Sequence, residues 1–104
     1  MDKKLNNWIH YNVFNPDEEC DMIPYYDSNL TLAMMVLTEI RQREDFCSFS
    51  ITNTDETVDR MTVEVEMIDN DGIFTGVSIC HSNNLASAIC KAVYESISRK
   101  AWNK

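Results

Sequence analysis

The fold of this chain is decided by the run MTVEVEM, residues 61–67, and by the turn DNDG, residues 69–72, that follows it. In the run, methionine and valine alternate with threonine and glutamate, which is the period-two pattern of a strand that buries one face. In the turn, Gly72 supplies the positive φ that a tight hairpin requires. Residues 73–80 then return as a second strand, so the sequence predicts an antiparallel hairpin whose glutamates point to solvent or to a partner.

Upstream of the hairpin, the sequence predicts one more strand and a helix. Cys47, Phe49 and Ile51 alternate with serines, and the polar stretch 52–59 is expected to be a loop. We expect the helix to begin at a cap on Asp27 or Ser28 and to run to about residue 43. Its apolar positions have the three-to-four spacing of one buried face: Leu30, Ala33, Met34, Leu37 and Ile40, with Met35 and Val36 widening that face.

Downstream of the hairpin, a second helix begins at a cap on Ser82 or Asn83. Its buried stripe is Leu85, Ala88, Ile89, Ala92, Val93 and Ile97. The predicted fold is therefore α+β, with a helix, a three-stranded antiparallel sheet and a helix (αβββα) over residues 23–104. Residues 1–22 form an extra N-terminal arm, in which Trp8 and Ile9 belong to a short amphipathic helix that docks on its own core or on a neighbouring copy.

The charge of the chain limits its partners. Seventeen acidic residues oppose nine basic ones, which gives a net charge of −8 and a pI near 4.5. Phosphate binding needs a surface of lysine and arginine, so nucleic acid and anionic membranes are disfavoured. A protein with a basic surface is favoured, because opposite electrostatic fields steer encounter. Acidic charge also keeps small proteins soluble without any partner.

The cysteines and the N-terminus predict a cytoplasmic protein, in a reducing cytosol. Cys20, Cys47, Cys80 and Cys90 have no paired ligand spacing, and neither an apolar leader nor a membrane span is expected. Cys47, Cys80 and Cys90 fall at apolar-patterned positions, where a free thiol acts as a small hydrophobe. We therefore expect buried, reduced thiols and no zinc.

No motif in the sequence predicts catalysis. P-loop, GxGxxG, HExxH and GxSxG motifs are absent. Cys80 and His81 are neighbours in a strand, where successive side chains point to opposite faces, so they do not form a nucleophilic pair. Glu64 and Glu66 lie on one strand face about 7 Å apart, a spacing that is compatible with the paired carboxylates of a glycosidase. An acidic strip that faces a partner fits the sequence better. We expect no enzyme activity, no cofactor and no bound metal.

Two families share this order of elements. A double-stranded-RNA-binding domain has the same topology, but it needs a basic helix end, and here the second helix opens with His81-Ser82-Asn83-Asn84. The chain instead resembles the phage ABA sandwich domain family of small phage-encoded proteins. The resemblance rests on Pro24-Tyr25-Tyr26, on Asp27-Ser28, and on the run LASAICKA, residues 85–92. It covers roughly residues 23–97 and carries no catalytic residues.

The resemblance implies a phage protein, and small acidic phage proteins often act against host defence. The first hypothesis is a counter-defence inhibitor, similar to anti-CRISPR proteins, whose acidic face mimics nucleic acid in a basic groove of a host effector. Its candidate residues are Asp17, Glu18, Glu19, Glu64, Glu66, Asp69 and Asp71. The second hypothesis is an oligomer that sequesters a nucleotide signal near the helix N-termini, with Tyr25 or Tyr26 stacked on a base. The third is a phage accessory protein without a defence role. A homodimer is compatible with each of them.

Overall fold

The computed structural model describes residues 2–16, 22–55, 59–70 and 72–102 of the 104-residue chain. Three strands form one antiparallel sheet in the order β1-β2-β3, between an N-terminal helical region and a C-terminal helix. The elements are α1 (Lys3–Ile9), continued by a π-helical segment (His10–Phe14), α2 (Leu30–Arg41), β1 (Phe46–Asp55), β2 (Arg60–Asp69), β3 (Gly72–Cys80) and α3 (Leu85–Trp102), which follows a 3-10 turn (Ser82–Asn84). The predicted α+β fold is confirmed.

The hairpin is the part of the fold that the sequence predicts best. Val63, Val65 and Met67 are fully buried, so the alternation in β2 places one face of the sheet in the core. Asp69 pairs with Gly72 across the turn, and Gly72 has a φ of 136°. That backbone conformation is open to glycine and strained for other residues, which fixes the place of the turn.

All helices contribute to one core on the buried face of the sheet. Helix α3 lies across β2 and β3 and packs Ile89, Ala92 and Val93 against them. Gly76 of β3 permits this close packing, because a Cβ there would stand 2.7 Å from the backbone nitrogen of Ser96 and would overlap the Ala92 carbonyl group. Helices therefore cover one side of the sheet, and within the described residues no helix covers the other side.

The N-terminal arm belongs to the same core. Leu5, Ile9 and Val13 are buried within it, and the ring of Trp8 meets that of Tyr94 of α3 edge-on at 4.8 Å between centroids. Of the two placements expected for the arm, the described chain shows docking on its own core.

The cap and the apolar face of α2 differ from the prediction. The N-cap is Asn29, whose side chain accepts a hydrogen bond from the Leu32 N–H, because Asp27 and Ser28 belong to a turn in which Ser28 N–H bonds to the Tyr25 carbonyl. Helix α2 ends at Arg41 rather than near residue 43. Three residues predicted on the buried face, Leu30, Met34 and Met35, are 48%, 45% and 51% exposed. The residues of α2 that are buried are Ala33, Val36, Leu37 and Ile40.

Strand β1 is longer and less regular than predicted. It continues through Thr52 to Asp55, where a loop was expected, because Thr52 pairs with Thr62 and extends the ladder. Its register shifts between Phe46 and Ser48, so that Cys47 is an extra residue in a β-bulge. The bulge interrupts the alternation, and the Cys47 thiol is exposed rather than buried. Cys90 is buried as expected, Cys80 is half-buried, and Cys20 lies outside the described residues.

The capping prediction for the last helix is wrong in its detail. Ser82 and Asn83 lie inside the 3-10 turn, and His81, which precedes that turn, makes no side-chain cap hydrogen bond. The predicted stripe of α3 is confirmed, since Ala88, Ile89, Ala92 and Val93 are buried and Leu85 and Ile97 pack against the core as partly buried residues.

Candidate functional site

The uncovered side of the sheet is the candidate functional site. Val63, Val65 and Met67 point into the core, so the alternate residues of β2 point away from it. The residues of β1 and β3 that pair with these alternate residues point away from the core as well. We call this surface the open face. It consists of Ser48, Ser50 and Thr52 of β1; Thr62, Glu64, Glu66 and Ile68 of β2; and Ile73, Thr75, Val77 and Ile79 of β3.

Each strand gives the open face a row of different chemistry. The β1 row is all hydroxyl groups, and the β2 row carries the two carboxylates at its centre. The β3 row is mostly apolar: Ile73, Val77 and Ile79 are 56%, 39% and 62% exposed. Register places Glu64 opposite Val77 and Glu66 opposite Thr75, so the carboxylates border the middle of the β3 row.

Strand β3 is more apolar on its open side than on its covered side. Its covered side includes Gly76, which is buried under α3, and Ser78, which is half-buried. Its open side carries two isoleucines and a valine. The covered side also carries Phe74, which is half-buried opposite Met67, so both sides of β3 hold large apolar residues. The three on the open side remain exposed, and exposed apolar patches are typical of interaction surfaces.

The structure brings together two of the predicted acidic residues. Glu64 and Glu66 are half-buried neighbours on the open face, and the Cys47 thiol lies 3.9 Å from Oε2 of Glu66. Asp69 ends β2 next to the hairpin turn, and its side chain lies outside the described part of the structure. Asp17, Glu18, Glu19 and Asp71 also lie outside the described residues.

The two tyrosines proposed as ligand contacts lie in different environments. Tyr26 is 4% exposed; its ring stacks on Phe14 at 5.2 Å between centroids, and its hydroxyl is 2.9 Å from Nδ1 of His10. Tyr25 is 55% exposed and lines a cleft of about 740 Å³ beside α1. The cleft is lined by Lys3, Asn6, Asn7, Met22, Ile23, Pro24 and Tyr25. Only Tyr25 is therefore presented to a ligand.

A second cleft, of about 560 Å³, lies where β3 leads into α3. Cys80, His81 and Lys91 line it, but neither tyrosine does. The Nδ1–H of His81 donates to the Asp59 carbonyl at 2.6 Å. Burial and the Asp59 charge raise the pKa of the Cys80 thiol, which keeps the thiol protonated. A nucleophilic cysteine needs the opposite shift.

Asp27 has a structural role that the sequence did not indicate. Its Oδ1 accepts from Nδ2 of Asn6 at 2.8 Å, its backbone N–H donates to Oδ1 of Asn6 at 3.1 Å, and its Oδ2 accepts from the Asp2 N–H at 2.7 Å. Burial on its own raises the pKa of Asp27, but these hydrogen bonds and one from Ser28 hold the pKa below its usual value. Asp27 thus remains ionised and joins the N-terminal arm to the turn before α2.

Other kinds of site find no support in the described part of the chain. No group of three or more potential metal ligands occurs among the residues that the structure describes. Among those same residues, none of the helices has the length and apolar content needed to span a bilayer. Comparison with known proteins found no family model, no curated protein and no solved structure that matches this chain.

Proposed function

We propose that this protein is a non-enzymatic binding protein that inhibits a host defence effector by covering a basic surface of that effector. In this proposal the chain is phage-encoded, as its resemblance to the phage ABA sandwich domain family implies. The observation that carries the proposal is the open face, where Glu64 and Glu66 stand side by side on a sheet that none of the described helices covers.

Charge and exposure support this choice of surface. A net charge of −8 attracts a basic partner over long range. At short range, two half-buried carboxylates in a rigid strand provide fixed acceptors for arginine or lysine. Because pairing with β1 and β3 holds the backbone of both residues in place, binding requires ordering of their side chains only, which favours affinity.

A nucleotide sponge is the second candidate, and the cleft beside Tyr25 is the observation that favours it. An exposed tyrosine beside Lys3 offers a ring for a base and a cation for a phosphate. The excess of acidic residues opposes this function, because it repels phosphates. The remaining candidate is a phage accessory protein with neither activity.

Charge reversal tests the proposal. The tagged protein, its Glu64→Lys/Glu66→Lys variant and a Glu39→Lys/Glu44→Lys control are purified gently from host cells. The control makes the same change in net charge at two residues outside the sheet, one in α2 and one in the segment between α2 and β1. Quantitative mass spectrometry then compares retained proteins, native mass spectrometry detects added small molecules, and phage plating on a defended host measures function.

Each function has its own expected result. A host protein that is retained by the parent and the control, and lost from the Glu64/Glu66 variant together with phage fitness, supports the inhibitor. A small added mass that is lost with Tyr25→Ala supports the sponge instead. A chain that retains neither, and whose variants plate equally well, has the accessory role, and the proposal is then wrong.

A further inference from the structure

We infer that the partner docks on the open face through an amphipathic helix with one cationic edge, lying along β3. This inference rests on the proposed function and names the partner's binding element. It follows from the combination of chemistries on adjacent strands rather than from the acidic residues alone.

The apolar row distinguishes this partner from a nucleic-acid-binding groove. A surface that only mimics a phosphate backbone needs carboxylates and polar groups. Here Ile73, Val77 and Ile79 form the neighbouring row at 39–62% exposure, with Ile68 of β2 opposite Ile73 at one end. Burying these side chains requires an apolar counterpart, whereas Glu64 and Glu66 require a cationic one. The complementary surface therefore carries an apolar stripe and a basic stripe side by side.

The dimensions of the two rows fit one helix. From Ile73 to Ile79 the strand advances about 20 Å, which is the length of about 14 helical residues. Neighbouring strands lie about 4.8 Å apart, and a helix is about 10 Å wide, so one helix placed along β3 also reaches the β2 row. Its apolar stripe then covers the β3 side chains, and its lysines or arginines along one edge meet Glu64 and Glu66.

Two other occupants fit less well. A second copy of this chain brings the same excess of negative charge to the interface, with a net charge of −8 on each molecule. An added strand at the edge of β3 competes for the Thr75 carbonyl, which already accepts a hydrogen bond from Arg99 at 3.1 Å. A cationic helix brings no excess of negative charge and does not compete for the Thr75 carbonyl. It also offers apolar contacts to the β3 row and cationic contacts to the β2 row.

A designed peptide tests the inference on the full chain. The probe is a labelled helical peptide of about 18 residues, with leucines along one face and lysines along one edge of that face. Its comparator is a scrambled peptide of identical composition and charge. Fluorescence anisotropy at physiological salt measures affinity, and amide chemical shifts locate the peptide on the sheet.

Matched variants test both rows. Ile79→Thr keeps β-branching and Glu64→Gln keeps size, so both suit the strand while removing one kind of contact. As controls, Met35→Thr also replaces an exposed apolar side chain by threonine, within α2, and Glu44→Gln makes the same change at an exposed glutamate after α2. We expect about tenfold tighter binding of the helical peptide than of the scrambled one, and a loss of about threefold or more for each open-face variant. The two controls should bind as the parent does.

Equal binding of both peptides means general charge attraction and overturns the inference. So does a dimer by sedimentation that Ile79→Thr converts to monomer, because a second copy then covers the face. A host partner that is lost with Glu64→Lys/Glu66→Lys and retained by Ile79→Thr leaves the proposed function standing and refutes the helix alone. If the peptide binds as expected but no host partner depends on Glu64 and Glu66, the open face is a helix-binding surface and the proposed function is refuted.

Discussion

Replacing Asn6 by alanine should detach the N-terminal arm from the turn before α2. Asn6 is 2% exposed, and it exchanges two hydrogen bonds with Asp27, one of them to the ionised carboxylate. A hydrogen bond to a charged group contributes about 1.5–3 kcal/mol and a neutral one about 1 kcal/mol. We therefore expect the free energy of unfolding to fall by about 2–4 kcal/mol, which is a large part of the stability of a domain of this size.

Asn7→Ala is the matched control for this change. Asn7 is the next residue of the same helix, it is half-buried, and it lines the cleft beside Tyr25. Both substitutions gain the same helix propensity, so their difference isolates the Asn6 contacts with Asp27. With a urea m-value of about 1–1.5 kcal/mol per molar, the midpoint of Asn6→Ala should fall by about 2 M, while that of Asn7→Ala stays within about 0.5 M.

The same pair of variants gives a pH test with a defined sign. The folded pKa of Asp27 lies below its ordinary value of 3.8, so the stability that its carboxylate contributes is present above that value. This contribution is lost as the pH falls through the lower folded pKa. The difference between the parent and Asn6→Ala should therefore be constant near neutral pH and shrink below about pH 4. Equal urea midpoints for Asn6→Ala and Asn7→Ala, or a difference that persists unchanged in acid, would refute the role assigned to Asp27.

Three further predictions concern the core and the thiols. Gly76→Ala drives a Cβ into the α3 backbone and should lower the free energy of unfolding by about 3 kcal/mol or more in urea titrations, since no rotamer relieves the overlap. Tyr26→Phe removes the hydroxyl contact with His10 and should cost about 1 kcal/mol in the same assay. Burial raises the pKa of Cys90 to about 12, whereas Cys47 is exposed; iodoacetamide should label Cys47 in the folded protein and Cys90 only after unfolding, as measured by peptide mapping.

Sequence patterns predicted the elements that bury a whole face. The β2 alternation and the α3 stripe were correct because neighbouring elements cover those faces along most of their length. The α2 pattern predicted which residues share a face but not how much of that face is covered, so Leu30 and Met34 were placed in the core although they are half exposed. Periodicity indicates in which direction a side chain points from the helix axis. The exposed fraction of that side chain depends on how far the neighbouring helices extend over it.

Long-range contacts and irregular register account for the other errors. Asp27 was predicted as a helix cap from local sequence, but its partner Asn6 lies 21 residues away, and no local rule contains that contact. Cys47 was predicted to be buried because Cys47 and Phe49 fall on one face of a pattern that alternates with serines. The bulge beside it adds one residue to β1 and turns the thiol outward.

The sequence predicted the carboxylates of the candidate site but not its apolar row. Glu64 and Glu66 follow from the alternation of β2, whereas IFTGVSIC, residues 73–80, has apolar residues on both faces and does not reveal which one is covered. The hairpin register decides this by placing Gly76 opposite Val65 on the buried face. Because α3 approaches so closely there, the covered side of β3 takes a glycine at residue 76, while Ile73, Val77 and Ile79 stand exposed on the open side. The hairpin register therefore leaves an exposed apolar row beside two carboxylates, and this is the surface that we propose for partner binding.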